Sequence, residues 1–526
     1  MARTGLRAGS GDVSLRHAGE DDGDHDTRAP VPSARPGGAA NGDGRAGRAL
    51  DALAVVVHGA TLAGAGVLIV WTNRRQWFFG DEWEFFANRL EGGGRVLFAP
   101  HNEHWSTVPI LIYRALYEAA GLRTYVPYVA VLVVAHLAVV HLVWRVMRRT
   151  GTPPLIASAL AAVLAVLGSG SENLLWAFQI GFVGSVALGL VHILLVDHDG
   201  RFGRRDVLGW AVAVVGLACS GIAVTMTAVA GLVVLLRRNL NDAVLTVVPP
   251  AGVYLLWLAW IGHEGLRDQG STLDRALGVP SYLWTGLSFA VERGSGIPGA
   301  GPALVVLLLV WLVRQDGLRS PAAAVPTAMA VGAGLLFAVI GMGRSNHGVE
   351  QATSSRYVYI AVALLLPAIG LALSSGVLRA PARQAAVAAL LGLVLLQGLD
   401  DLRTSAAAEG DRERQIRAQV MAADQLVASG EALVGPQPEP RYTPDLTVDV
   451  LRRLRADGAL PAGVEVTDRD RLAAATQLQL AVTTTAPAPA GTPSLPTLAG
   501  RGVAADGAGC AVLPSGAGAE LRLAGP

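Results

Sequence analysis

The chain has 526 residues, of which 52% are hydrophobic and 16% charged, and its mean hydropathy is +0.43. That is too little charge for a soluble protein of this length. All 42 basic residues are Arg, which excludes Lys Schiff-base chemistry and a Walker-type phosphate loop, and a net charge of +1 argues against a nucleic-acid partner.

Residues 1–48 are rich in Gly, Asp, Arg, Pro and Ser without apolar periodicity, and read as a disordered cytoplasmic tail rather than a cleavable signal peptide. From 49 to 400 apolar runs alternate with short polar loops. Eleven candidate spans fall near 50–71, 126–144, 154–168, 179–196, 207–220, 222–236, 243–262, 301–313, 321–341, 356–376 and 384–399. Several are shorter than the roughly 20 residues that a helix needs to cross hydrocarbon. The 207–236 pair is broken at Ser220-Gly221. Loops at 145–150, 197–206, 237–242, 314–319 and 379–383 carry twelve Arg between them, whereas 169–178 carries none and 342–356 two. An excess of Arg marks the cytoplasmic side. The outer loops are then 72–125, 169–178, 263–300 and 342–356, with the N-terminus inside and the C-terminus outside a plasma membrane crossed many times. Beyond 400, residues 404–430 favour helix, Pro436-Gln437-Pro438-Glu439-Pro440 marks a break, and Asp445–Arg455 reads as a short helix. The stretch 483–499 is linker-like, and strand character appears around Ala511–Leu513 and Glu520–Leu523. The expected fold class is an all-α polytopic membrane protein with a small extracytoplasmic α/β appendage over 401–526.

Chemistry concentrates in the outer loops. In 72–125, six acids balance six Arg. Phe78-Phe79-Gly80-Asp81-Glu82-Trp83-Glu84-Phe85-Phe86 sets carboxylates among aromatics just outside the first span, where ionisable groups facing a cavity are usually functional. The aromatics suit short amphipathic helices in the membrane interface. In a helix starting here Asp81 and Glu84 share a face and Glu82 points away. Desolvation by the rings would raise the pKa of such a carboxylate, fitting it to take a proton from a sugar or lipid hydroxyl. His101-Asn102-Glu103-His104-Trp105 places two imidazoles on one side of a helix. That leaves a divalent metal open, with Asp81, Glu172 or His347 as third ligand, beside the alternative of hydrogen bonding to a polar ligand. In 169–178, Ser171 is a candidate cap, and Glu172, Trp176 and Gln179 recur on one helical face suited to carbohydrate. In the outer loop 342–356, Arg344 and Arg356, followed by Tyr357, can meet a phosphate at headgroup depth. His58, His136 and His141 read as interior polar packing. Cys219 and Cys510 support neither a disulfide framework nor a metal site.

An Asp-Glu pair after span one, a second acid in the next outer loop, many spans and a late Arg-Tyr loop resemble the GT-C superfamily. These are integral-membrane glycosyltransferases using polyprenyl-phosphate-linked sugars, and the mannosyltransferase and aminoarabinose-transferase group is the nearest in pattern. The resemblance covers residues 50–400. It implies Asp81 as the catalytic base, Glu82 as its acidic neighbour, Glu172 as the second-loop acid and Arg356 facing the lipid phosphate. Glu84, His101, Asn102, Glu103, His104, Trp105, Trp176, Gln179, Arg344 and Tyr357 would then shape the substrate pocket. The implied partners are a polyprenyl-phosphate sugar, membrane lipid and an extracytoplasmic acceptor. Trp83-Glu84-Phe85-Phe86 and the His-Asn-Glu-His-Trp run depart from the family pattern. A transporter or lipid-linked sugar flippase, or a non-catalytic envelope-assembly protein, are the alternatives. A transporter would show repeat symmetry and mid-membrane charges, and the sequence has no repeat and few such charges.

Overall fold

A computed structural model describes residues 40–266, 271–314, 321–374, 380–430, 433 and 435–479, with four two-residue strands between 498 and 523. Residues 1–39 of the expected tail 1–48, most of the 483–499 linker and Cys510 lie outside the described residues, while residues 40–48 of that tail are helical. The chain divides into two units at Ala49/Leu50, and the site and its cavities belong to the second.

The protein is an all-α polytopic membrane protein. Each of the eleven expected spans falls on a helix: Ala40–Asn73, Val126–Arg149, Pro154–Ala165, Ile180–Val196, Arg204–Leu217, Ile222–Arg237, Leu240–Trp260, Gly301–Arg314, Pro321–Arg344, Ser355–Ser374 and Pro381–Ser429. Seven helices among the described residues are long and apolar enough to cross a membrane, and three shorter ones are apolar. Hydrocarbon offers no partner for backbone amides, so continuous helices are the solution these runs can adopt. Their ends follow local chemistry. Asn239 caps Leu240–Trp260 by accepting from the Asp242 amide, and left-handed Gly430 ends the 49-residue helix that starts at Pro381. The outer segment 263–300 contains one more long helix, Thr272–Ser295, laid against Pro321–Arg344 and Ser355–Ser374.

The loops gather at two ends. At one end Arg148 pairs with Asp51, Arg149 and Arg237 with Asp197, and Arg238 with Asp206. These are the Arg-rich loops. At the other end the segments read as outer loops converge, and the chain beyond 400 joins them. The Pro381–Ser429 helix runs on past the bundle, where Glu413 accepts from the Trp77 amide at 2.8 Å. The Tyr442 carbonyl accepts from the Gly80 amide at 2.7 Å, and Arg453 donates to the carbonyls of Phe86 and Ala87. Residues 401–430 and 435–479 are largely helical and pack on the first loop. The expected strands appear as two short antiparallel ladders, Leu498–Ala499 with Arg522–Leu523 and Ala504–Ala505 with Ala511–Val512.

The inner-end pairs hold buried charge. Asp206 is fully buried and Arg238 nearly so, 2.7 Å apart. Without Arg238, buried Asp206 keeps only His198 at 3.3 Å and the Gly203 amide at 2.9 Å, so Arg238→Ala should destabilise the fold by about 3 kcal/mol. Thermal unfolding of the detergent-solubilised protein should show a marked fall for Arg238→Ala and recovery of much of it in Arg238→Met/Asp206→Leu. An unchanged midpoint in the single variant would show the pair to be without structural weight.

Candidate functional site

The first outer loop is built around a turn that only a glycine adopts easily. Gly80 has φ +61°, and a Cβ there would lie 3.3 Å from the Trp176 ring. Past the turn, Glu82–Glu84 forms one helical turn that widens into a π-turn over Phe85–Arg89. Trp77, Phe78, Trp83, Phe85 and Phe86 are at most 1% exposed. Phe78 meets Tyr128 edge-on at 4.8 Å, and Phe85 meets Tyr113 likewise at 5.2 Å. The aromatics thus make a protein core under the loop, which corrects the expected interfacial helices. Rings this numerous bury more surface against one another than a single interfacial face could.

As expected, Asp81 and Glu84 turn one way and Glu82 the other. Glu84 accepts from Arg89 at 2.6 Å and meets His101 Nδ1 at 3.1 Å, and Asp81 lies 3.9 Å from His101 Nε2. Glu82 is wholly buried. It accepts from the Tyr113 and Tyr125 hydroxyls at 2.6 and 3.1 Å and from the Phe79 amide at 3.1 Å. The Tyr125 oxygen in turn accepts from the Ala177 amide at 2.8 Å, joining the first and second outer loops. Glu82 organises the loop from beneath and does not line either cavity at the site.

His101 and His104 do not lie on a helix. They pair as an antiparallel bridge, each amide donating to the other's carbonyl at 3.0 Å. Asn102, at the bend, is the one non-glycine among the described residues with positive φ (49°). Gly265 packs on it so closely that a Cβ would sit 1.9 Å from the Asn102 carbonyl oxygen. The bridge sends the imidazoles to different neighbours, His101 to the two carboxylates and His104 towards Phe182 and Gly221. Between them Glu103 accepts from Arg344 at 2.7 Å. Trp105 stacks on Trp257 at 5.3 Å and is a packing residue. Among the described residues no three His, Cys, Asp or Glu side chains converge as a metal site.

The second outer loop also departs from one continuous helix. Glu172–Leu175 is a single turn, extended Trp176 breaks it, and Ala177–Gln179 is a 3-10 turn, so Glu172, Trp176 and Gln179 share no face. Ser171 makes no side-chain cap. Trp176 stacks on Phe79 at 4.9 Å, while Gln179 and Tyr357 are buried. Glu172 lies 3.8 Å from Arg356 Nε, and the Arg356 guanidinium stands over the Tyr357 ring. In the spans His136 meets the Tyr359 hydroxyl and the Ala165 carbonyl, and His58 meets His141, in line with interior polar packing.

Two cavities meet at Asp81. One, about 280 Å³, is bounded by Asp81, Asn102, Glu103, Arg344, His347 and Arg356. The other, about 460 Å³, is bounded by Asp81, Glu84, Arg89, His101, Glu264 and Asp445. Asp81, Asn102 and Gly265 belong to both walls. Asp445 and Glu264 were not visible as site residues in the sequence. Each is an isolated acid on a segment that reaches the cavity only through folding.

Charge in the site is set by these neighbours. Burial alone would raise Asp81, but the hydrogen bond and charge of His101, with Arg356 and Arg344, hold it below the usual range. The expected upward shift belongs instead to Glu82, which burial pushes up to about 8 against the hydrogen bonds it accepts. Burial would lower His101, yet Asp81 and Glu84 outweigh it and raise the imidazole to about 9. Burial lowers His104 to about 4. At neutral pH His101 is a cation clamped between two carboxylates, and His104 is neutral.

A raised folded-state pKa stabilises below the unfolded value and is lost as pH rises through the folded value. The contribution of His101 is therefore full below about 6.5 and disappears as pH passes about 9. Glu82 adds a loss in the same direction as pH rises towards about 8. The pH dependence of thermal unfolding should show declining stability from pH 7 to 9.5, with a shallower decline in His101→Gln. Parallel slopes for the two proteins would contradict the clamp. No protein-family model, curated protein or solved structure matches the chain, so its chemistry is read from its own residues.

Proposed function

We propose that the protein is a membrane glycosyltransferase that moves a sugar from a polyprenyl-phosphate donor to an extracytoplasmic acceptor, a cell-envelope glycan, lipid or protein. The observation that carries this reading is the place of Asp81 in the wall common to two cavities of unequal charge, one with acids and arginines in balance and the other richer in carboxylates. Arg344 and Arg356 stand in one, and the carboxylates of Glu84, Glu264 and Asp445 in the other. The arginine excess of the opposite loops supports a cytoplasmic N-terminus and an outward-facing site. The reading also takes as spans all eleven helices that fall on the expected apolar runs, and the chain beyond 400 as extracytoplasmic.

In this mechanism the donor phosphate lies against Arg356, whose buried Nε has no hydrogen-bond partner, with Arg344 behind it. A guanidinium pairs with phosphate oxygens through directed N–H bonds. The acceptor hydroxyl enters from the acid-lined side. Its oxygen bonds to the anomeric carbon as the bond from that carbon to the phosphate oxygen breaks, and the electron pair leaves with polyprenyl phosphate. Arg356 stabilises the charge that develops there. The hydroxyl proton passes to Asp81, which is 46% exposed at the partition. Its depressed basicity suits a late transfer, from an oxygen already made acidic by bond formation. Glu84 and His101 fix the direction of the Asp81 carboxylate. Glu172, 3.8 Å from Arg356, sets the guanidinium in place.

The reading is tested with full-length protein in lipid vesicles and a panel of polyprenyl-phosphate sugars, following release of polyprenyl phosphate. Asp81→Asn should slow release at least about 100-fold, and Arg356→Gln should weaken donor binding. Donor binding without release from any donor would remove the enzyme class in favour of transport or assembly. Equal release by wild type and Asp81→Asn would move the base elsewhere.

A further inference from the structure

A third polar cavity, about 410 Å³, opens at the same end of the bundle but does not include Asp81. Six hydroxyls line it: Ser169, Ser171, Thr353, Ser355, Thr404 and Ser405. They come from three separate segments, the second outer loop, the junction of the Val349–Thr353 turn with the Ser355–Ser374 helix, and the extension of the Pro381–Ser429 helix. Arg293 also lines the cavity, with Asp400 and Asp401, and Phe289 supplies an apolar side.

The walls are held firmly. A Cβ on Gly168 would lie 2.4 Å from the Gly398 carbonyl oxygen, so the second loop and the long helix meet backbone to backbone beside the cavity. Arg293 spans to Asp401 at 2.8 Å across the opening. Within this frame the hydroxyls are incompletely used. Ser169 Oγ is buried without a hydrogen-bond partner, and Ser355 Oγ accepts from the Glu172 amide at 3.2 Å, leaving its own proton free to donate elsewhere. A hydroxyl is both donor and acceptor, so a ring of them matches a ligand that is itself made of hydroxyls.

Charge narrows the ligand. Asp401 neutralises Arg293, and Asp400 adds a further negative charge, so the pocket has no spare cation for a phosphate or carboxylate. The Arg344–Arg356 cavity differs in holding two arginines, one of which, Arg356, has an Nε that makes no hydrogen bond. We propose that the pocket is a second carbohydrate site, taking a neutral polyhydroxylated sugar apart from the cavities that meet at Asp81. The sugar is either free in solution or the headgroup of a lipid, since the pocket sits where the helices leave the bundle. Through Ser355 its occupant lies one hydrogen bond from Glu172, and so next to Arg356. Occupancy is a binding property and holds whether or not Asp81 carries catalysis.

The test is saturation-transfer NMR on the full chain in nanodiscs, with methyl glycosides of glucose, mannose, galactose and arabinose, and the dodecyl glycosides of the same sugars. Empty nanodiscs give the background for the dodecyl series. At least one sugar should show transfer with wild type and with Asp81→Asn. Affinity should fall about tenfold in Thr404→Val/Ser405→Ala, as expected for two lost hydrogen bonds. Ser171→Ala, tested separately, should weaken the same sugar. Transfer from methyl glycosides assigns a free sugar, and transfer from dodecyl glycosides alone assigns a lipid headgroup. Transfer lost in Asp81→Asn but kept in both pocket variants would place binding at the other cavities and overturn the proposal, as would silence from both series.

Discussion

The end of the molecule that carries the site depends on one buried carboxyl group. Glu82 sits beneath the first loop with no exposure, and its two oxygens take three donors from different segments. An unpaired polar group at such depth would cost several kcal/mol, so the loop, the Thr107–Ala120 helix and the start of the Val126–Arg149 helix must meet where these bonds can form. Tyr125 passes the constraint to the second outer loop through the Ala177 amide. The aromatic cluster supplies the apolar area and Glu82 the direction. Asp81, one residue earlier, is thereby turned outward to the cavities.

The site separates its ionisable groups by environment rather than by residue type. Asp81, Glu82 and Glu84 are adjacent or nearly so in the chain, yet the first and third face a cation and the second faces rings and hydroxyls. His101 and His104 differ in the same way, one raised by two carboxylates and the other lowered by burial. Opposed shifts between neighbours are a mark of sites that assign acid and base roles. The strained backbone at Asn102, with Gly265 against its carbonyl, belongs to the same wall. It aims Glu103 at Arg344 while His101 stays with Asp81 and Glu84.

The chain beyond 400 is part of this arrangement. Tyr442 holds the Gly80 turn, Glu413 holds the Trp77 amide, and Asp445 completes the acid-lined wall. The long helix also contributes Thr404 and Ser405 to the hydroxyl-lined pocket. A helix of 49 residues can do this because it continues without a break from the bundle into the outer layer. This face is thus built from loop and tail together, and two of its three polar cavities are lined by both.

Much of the fold was legible in the sequence because a membrane span is a local property. Twenty apolar residues must form a helix in hydrocarbon whatever surrounds them, and the three Arg-rich loops at 145–150, 197–206 and 237–242 meet at one end, as the arginine pattern groups them. The opposed directions of Asp81 and Glu82 were legible for a similar reason, since helical spacing sets them. The rest required tertiary structure. Whether Asp81 is raised or lowered depends on His101, twenty residues away, and His101 reaches it by a two-residue bridge that helical periodicity does not predict. Asp445 and Glu264 enter the site through long-range packing, for which an isolated acid carries no local signal. The sequence by itself determined that the chain spans a membrane and where its polar chemistry gathers, because hydropathy and charge act over a single segment. Only the tertiary structure decided which of those groups share a cavity and which are charged, because distance and burial are set by all segments at once.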